Sequence, residues 1–225
     1  MTARNSVVDG ETGAWRTRLG LYAPGCLPGY HLPYYAAVDG EFASRGLHVE
    51  LSDPRGGLDT VKALGDGDLD ACITSVAHYL SALQEDRFLA ARFALMIARR
   101  THLAAFVVER NGGQRGSPTR LSELDGARLL GDKGSYFTRE YLAALRVAGV
   151  AAPKIVDAPH GQDLKLLIRG DGDVVVEFLE MLPRFASMAR RHDLEIRALP
   201  FFEVLPDVYG SGLLIADHFL ERSPE

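Results

Sequence analysis

The chain has 225 residues, 47% of them hydrophobic and 24% charged, with a net charge of −5 and a sequence pI near 5.8. This is the balance of a globular protein able to bury a real core, and its scattered lysines and arginines give no basic footprint for a nucleic acid; Arg99-Arg100 and Arg190-Arg191 read as solvated element ends. Two cysteines without CxxC spacing argue against a disulfide scaffold or a zinc site and fit a reducing compartment.

The opening stretch, MTARNSVVDGETGAWRTR, is polar and lacks the apolar segment of a secretion signal, and no run approaches the roughly 18 apolar residues of a membrane span. The chain as written is expected in the cytoplasm, with a periplasmic or extracellular location only if the true start lies upstream. Leu19 to Tyr22 is a short apolar run that reads as a buried strand, ended by Ala23-Pro24-Gly25. A helix follows: Pro33 suits a first turn, Leu32, Tyr35, Ala36, Asp39 and Phe42 keep a helical period, and Gly46 is the expected stop.

His48 to Leu51 alternates as a strand, Leu58 to Leu64 forms a short helix, and Leu69 to Ile73 is a second buried strand that holds Cys72 as core filler. Ser75 caps a helix running to about Gln84. Further strands fall at Phe93 to Ile97, Ala104 to Val108, Ala127 to Leu130, Lys154 to Val156, Val174 to Val176, Leu194 to Leu199 and Gly212 to Ile215. Helices fit near 137–148, 161–169 and 179–191. Strands alternating with helices predict an α/β fold with mostly parallel sheets. A weak internal echo, LGDGDLDACITSVAHYL at 64–80 and IRGDGDVVVEFLEMLPRF at 168–185, favours two similarly built lobes. The turn-rich ERNGGQRGSPTRL, 109–121, is the expected connection between them.

Four stretches in order resemble one family. PGYHLPYYAAVDGEFASRGLHVEL (28–51), ALGDGDLDACITS (63–75), LSELDGARLLG (121–131) and GSGLLIADHFLERSPE (210–225) are similar to the type II periplasmic-binding-protein class. The branch is that of thiamine-pyrimidine synthases and of substrate-binding proteins for thiamine precursors, alkanesulfonates and taurine. The resemblance implies a two-lobed fold: a leader at 1–17, a first lobe of 18–108 and 200–225, and a second lobe of 109–199. Family members continue for tens of residues past the final Pro-Glu, so the first lobe is expected to be trimmed at its C-terminus or covered by another chain.

In that architecture a ligand sits between the lobes at strand carboxyl ends and helix amino ends, which selects residues 22–32, 74–78, 131–137 and 177–180. Tyr22 and Tyr30 offer aromatic faces for a flat heterocycle, and His31 matches the branch's Tyr-His pair; burial over a hinge and a helix-end histidine are the plain alternatives. Thr74 and Ser75 offer hydroxyls at a helix N-terminus to an anionic or amide group, or act only as a cap. Ser135 and Tyr136, with Lys133 nearby, form a second oxyanion candidate. Glu177 and Glu180 stand at the start of the corresponding helix of the second lobe, as acceptors for an amino-pyrimidine or as solvated carboxylates. Tyr209 is a further candidate contact.

His78 takes the place of the histidine that the pyrimidine synthases consume, but Thr74 stands where their cofactor-binding lysine would be, and LPDVYGSG replaces their cysteine-rich cluster. Cys26 matches the position of a nucleophilic cysteine in aryl-sulfinate desulfinases of this fold, yet Ala71-Cys72-Ile73-Thr74 lacks the arginine of their partner loop. Catalytic triads, nucleotide loops and metal-ligand spacings are not readable, so no cofactor or metal is expected. The expectation is a binding protein that closes on a small polar heteroaromatic or anionic solute, partnered by a transporter permease. Two alternatives stand beside it: an enzyme using Cys26 or His78, and a ligand-dead subunit whose trimmed lobe a second subunit covers.

Overall fold

The structure is a computed structural model that describes residues 15–21, 40–52, 56–85, 89–109, 117–159 and 161–222. The apolar runs become strands of two five-stranded sheets, each in its own unit: Met1–Arg99 with Tyr209–Glu225, and Arg100–Val208. In the first unit, β1 (Trp15–Leu21), α1 (Glu41–Ser44), β2 (Leu47–Ser52), α2 (Gly57–Gly65), β3 (Ala71–Ser75), α3 (Val76–Gln84) and β4 (Ala91–Met96) follow in order. The chain returns to it for β10 (Ser211–Ala216) and α7 (Asp217–Arg222). The sheet order is β2-β1-β3-β10-β4. β1, β2 and β3 are parallel and β10 runs antiparallel to both its neighbours, so β10 alone opposes the other four strands.

The second unit repeats this plan with β5 (Leu103–Glu109), β6 (Arg128–Leu130), α4 (Tyr136–Val147), β7 (Lys154–Val156), α5 (Asp163–Arg169), β8 (Val174–Phe178), α6 (Leu182–Arg190) and β9 (Glu195–Pro200). Its sheet order is β7-β6-β8-β5-β9, and β5 is the one strand running against the rest. The strand read at Ala104 to Val108 therefore belongs to the second unit and not to the first lobe. Its continuous buried run, Leu103 to Val107, fits the inside of a sheet flanked by β8 and β9. Residues 200–208 and the turn-rich 109–121 likewise fall within Arg100–Val208, so 109–121 is no connection between units. The crossings lie at 99–100 and 208–209, where Thr101 N–H donates to the Val208 carbonyl (2.7 Å) and Gly210 N–H to that of Ala98 (3.0 Å).

A shared clasp sets the register of the repeat. Asp70 accepts the backbone N–H of Arg18 (2.7 Å) and its guanidinium, which also reaches the Gly67 carbonyl (3.0 Å). Asp173 accepts the N–H of Arg128 (2.8 Å) and its guanidinium, which reaches the Gly170 carbonyl (3.0 Å). Gly67 and Gly170 both hold a left-handed turn, with φ of 79° and 87°, that a side chain would strain. Leu19 then pairs with Ala71 exactly as Leu129 pairs with Val174. The echo in the sequence aligned Gly65-Asp66-Gly67-Asp68 with Gly170-Asp171-Gly172-Asp173; the backbone aligns Gly67 with Gly170 and Asp70 with Asp173, two residues further on.

One face of the first sheet packs Cys72 and Leu214 with Val61 and Leu64 of α2 and Ala82 of α3. Cys72 is fully buried, and burial pushes its thiol up to about 12, so it serves as core and not as a nucleophile. The second sheet packs Phe106, Leu130 and Val175 against Leu164 and Leu167 of α5 and Phe185 of α6.

Candidate functional site

In the first unit, β3 is buried along its whole length and delivers Thr74 and Ser75 to its carboxyl end, where α3 starts at once. Ser75 caps α3: its Oγ accepts the His78 N–H (3.1 Å) and lies 2.9 Å from His78 Nδ1. The imidazole packs on Gly57, the first residue of α2, so closely that a Cβ there would sit 2.1 Å from Cε1. Three elements thus fix the orientation of His78. Strand alternation puts Thr74 on the face that carries Cys72, towards α2 and α3. Its hydroxyl and that of Ser211 are buried and have no hydrogen-bond partner among the described residues. Such groups are costly in a core, at about 1–3 kcal/mol each, unless something else meets them. Tyr209, 54% exposed, adjoins the same corner, because the Gly210 carbonyl accepts the Val76 N–H at 3.0 Å. Tyr22, Cys26, Tyr30 and His31 lie outside the described residues.

The second unit caps α4 with Ser135 in the same way but is built differently at the end of β8. The donors assigned to an oxyanion at 131–137 are engaged within their own loop: Gly134 N–H goes to the Asp132 carboxylate (2.8 Å), Ser135 N–H to the Asp132 carbonyl (3.2 Å) and Thr138 N–H to the Ser135 hydroxyl (3.1 Å). Tyr136 is buried, and Lys133 is exposed. Glu177 does not start a helix; it is the fourth residue of β8 and only 9% exposed. A 3-10 turn, Leu179–Met181, separates β8 from α6, which takes Pro183 in its first turn, and Glu180 is exposed on that turn. The Glu177 carboxylate accepts the Phe178 N–H at 3.2 Å, and Leu179 N–H donates to the His102 carbonyl at 2.8 Å.

Around this end stand aromatic rings that the sequence reading did not single out. His102 stacks on Phe178 (4.8 Å, 12°), and Phe137 meets Phe178 edge to face (5.3 Å) and lies 4.6 Å from the Tyr136 ring. Burial lowers the His102 pKa to about 4, so the ring is neutral at ordinary pH. No local motif marks His102, Phe137, Phe178 or Gly57; their roles arise from pairing between distant segments. Among the described residues, no group of histidine, cysteine, aspartate or glutamate forms a metal-binding cluster.

A family model described as NMT1/THI5 like matches residues 29–225. The chain belongs to the NMT1/THI5-like family. No curated protein matches it. The fold of this NMT1/THI5-like chain is shared with the periplasmic aliphatic sulphonate binding protein SsuA of Escherichia coli, at 16% identity and a TM-score of 0.69 over 93% of this chain and 67% of that one. It is also shared with the sulfonate-binding SsuA of Methylobacillus flagellatus KT (13%, TM-score 0.68, 94% of this chain and 64% of that one). The alkanesulfonate-binding SsuA of Xanthomonas axonopodis pv. citri, solved with MOPS, matches at 15% identity, TM-score 0.63, over 92% of this chain and 67% of that one. The chain therefore spans about two thirds of the length of these proteins. Family and fold agree with the resemblance carried by the Pro-Gly stretch, the Gly-Asp steps and the return strand: this is the type II periplasmic-binding-protein-like α/β fold, with mostly parallel sheets in two units.

Proposed function

We propose that this NMT1/THI5-like chain is a solute-binding protein for a small ligand bearing a sulfonate-like anion, received at the carboxyl end of β3. The observation that carries this reading is the buried Thr74 hydroxyl, without a partner among the described residues, at the strand end where α3 begins. A tetrahedral oxyanion accepts hydrogen bonds from several directions; Val76 N–H already goes to the Gly210 carbonyl and His78 N–H to Ser75, so the Thr74 hydroxyl and the partial positive charge of the helix end are what this corner offers it. His78, held by Ser75 and Gly57, stands in the same corner. The SsuA proteins of the same fold bind sulfonates, which supports the ligand class. Under this reading the physiological partner is a transporter permease.

The test is titration calorimetry with a thermal-shift panel of alkanesulfonates (MOPS included), pyrimidines and thiamine precursors. A sulfonate that binds raises the melting temperature in proportion to RT ln(1 + [L]/Kd), and Thr74→Val weakens it. Absence of any sulfonate response overturns the ligand class while leaving the fold untouched.

A further inference from the structure

The carboxyl end of β3 meets the beginnings of two helices of the first unit. α3 follows β3 directly, and two of its first three N–H groups are spent, that of Val76 on the Gly210 carbonyl and that of His78 on the Ser75 hydroxyl. α2 comes to the same place from the helical face of the sheet. Its Val61 and Leu64 cluster with Cys72 of β3, and Leu58 packs against that cluster. The chain turns back between α2 and β3, and the His78 ring lies on Gly57, so the first turn of α2 stands at the end of β3. Thr74, two residues beyond Cys72 on the same face, points its hydroxyl towards that turn.

The amino end of α2 is open. It has no side-chain cap, and among the described residues the N–H groups of Gly57, Leu58 and Asp59 make no hydrogen bond. Gly57 and Leu58 are only half-buried, so a ligand can reach them. The independent sign of a ligand is the Thr74 hydroxyl, fully buried and without a partner among the described residues. An oxyanion on the α2 amides would take up that hydroxyl from the side of the sheet. One charge opposes it. Asp59 is exposed, and its Oδ2 turns back to 4.0 Å from where a Cβ on Gly56 would stand. A carboxylate there favours the helix but repels a bound anion in proportion to the anion's charge.

We propose that the amino end of α2, with Thr74, is the seat of the anion, and that Asp59 sets its specificity by admitting a singly charged sulfonate over a doubly charged phosphate ester. Every group involved belongs to the first unit. The inference rests on the reading of the β3 end as the place of the anion; it adds which donors hold that anion and which charge they accept.

The experiment is calorimetry on the full chain at pH 8 and low ionic strength, with propanesulfonate and with propyl phosphate, which carries about two charges there. Wild type is compared with Asp59→Asn and with Asp66→Asn, a control that makes the same change of net charge just past the other end of α2. Wild type is expected to bind the sulfonate more tightly than the phosphate. Asp59→Asn tightens the sulfonate about threefold and the phosphate about tenfold, and Asp66→Asn changes neither by as much as twofold. Amide NMR of the wild type gives a readout that depends on no variant: on titration with propanesulfonate the Gly57, Leu58 and Asp59 signals shift more than those of Val76 and His78, whose N–H groups are already bonded. The proposal is overturned, and the sulfonate reading kept, if the sulfonate binds but the α2 amides stay still, if Asp59→Asn tightens both ligands equally or neither, or if Asp66→Asn does the same as Asp59→Asn. A wild type that prefers the phosphate also overturns it. No response to the sulfonate in heat or in NMR overturns both.

Discussion

The imidazole of His78 occupies the space that any side chain on Gly57 would need: a Cβ there would lie 2.1 Å from Cε1 and 2.2 Å from Nδ1. Because Nδ1 also meets Ser75 Oγ at 2.9 Å, the ring cannot retreat without losing that bond. Gly57→Ala is therefore expected to cost about 1–3 kcal/mol through overpacking and to weaken ligand binding, although Gly57 offers a ligand no side chain. Melting curves and calorimetry check both, and ligand affinity unchanged in a folded Gly57→Ala protein would remove His78 from the site.

His102 makes stability depend on pH. Its folded pKa of about 4 lies below its ordinary value, because burial beside Phe178 disfavours the charged ring. Between pH 6.5 and 4 the unfolded chain binds a proton that the folded one does not, so stability is full above 6.5 and falls as the pH drops through that window. The loss is about 3 kcal/mol by pH 4. His102→Phe, which keeps a ring in the stack, should flatten the profile of melting temperature against pH over this range.

Glu140 behaves in the opposite sense. Burial raises its pKa, and the hydrogen bond from the Thr101 hydroxyl partly offsets that rise. The folded chain holds this proton to higher pH than the unfolded one, so Glu140 lowers stability as pH rises from the ordinary carboxylate range through its folded value. Glu140→Gln should remove that decline. Thr101→Val, which takes away the donor, should deepen it by about 1–3 kcal/mol, measured by denaturant unfolding at pH 5 and pH 8.

The two clasps differ in burial and so should differ in worth. Asp70 has a side chain 2% exposed and holds Arg18, whereas that of Asp173 is 46% exposed. Asp70→Asn is expected to cost about 2–4 kcal/mol, since a partly buried arginine loses its counter-charge, and Asp173→Asn less than about 1 kcal/mol. Equal losses from the two substitutions would show that burial does not set the difference.

Ser75→Ala removes the cap of α3 and the hydroxyl beside His78 in one step. About 1 kcal/mol of stability is expected from the cap. A fall in sulfonate affinity larger than the same substitution at Ser135 produces would separate the ligand role from the cap, because Ser135 caps α4 in the same way.

Much of this molecule was legible from local pattern alone. The apolar runs, the serine caps at Ser75 and Ser135 and the stop at Gly46, where φ is 76°, follow from the chemistry of each residue and its near neighbours. The family resemblance came from the order of short motifs along the chain. What the sequence could not settle was pairing. Whether Leu103 to Glu109 joins the first sheet or the second depends on β8 and β9, some 70 to 95 residues away, and no local signal encodes that choice. The same holds for the repeat, whose Gly-Asp-Gly-Asp letters align two residues out of step with the backbone until Arg18 and Arg128 identify the equivalent aspartates. Hydrogen-bond registry between strands and the volume left beside a ring are properties of distant segments brought together. They placed His78 against Gly57 and kept Glu177 within β8 instead of at the start of a helix.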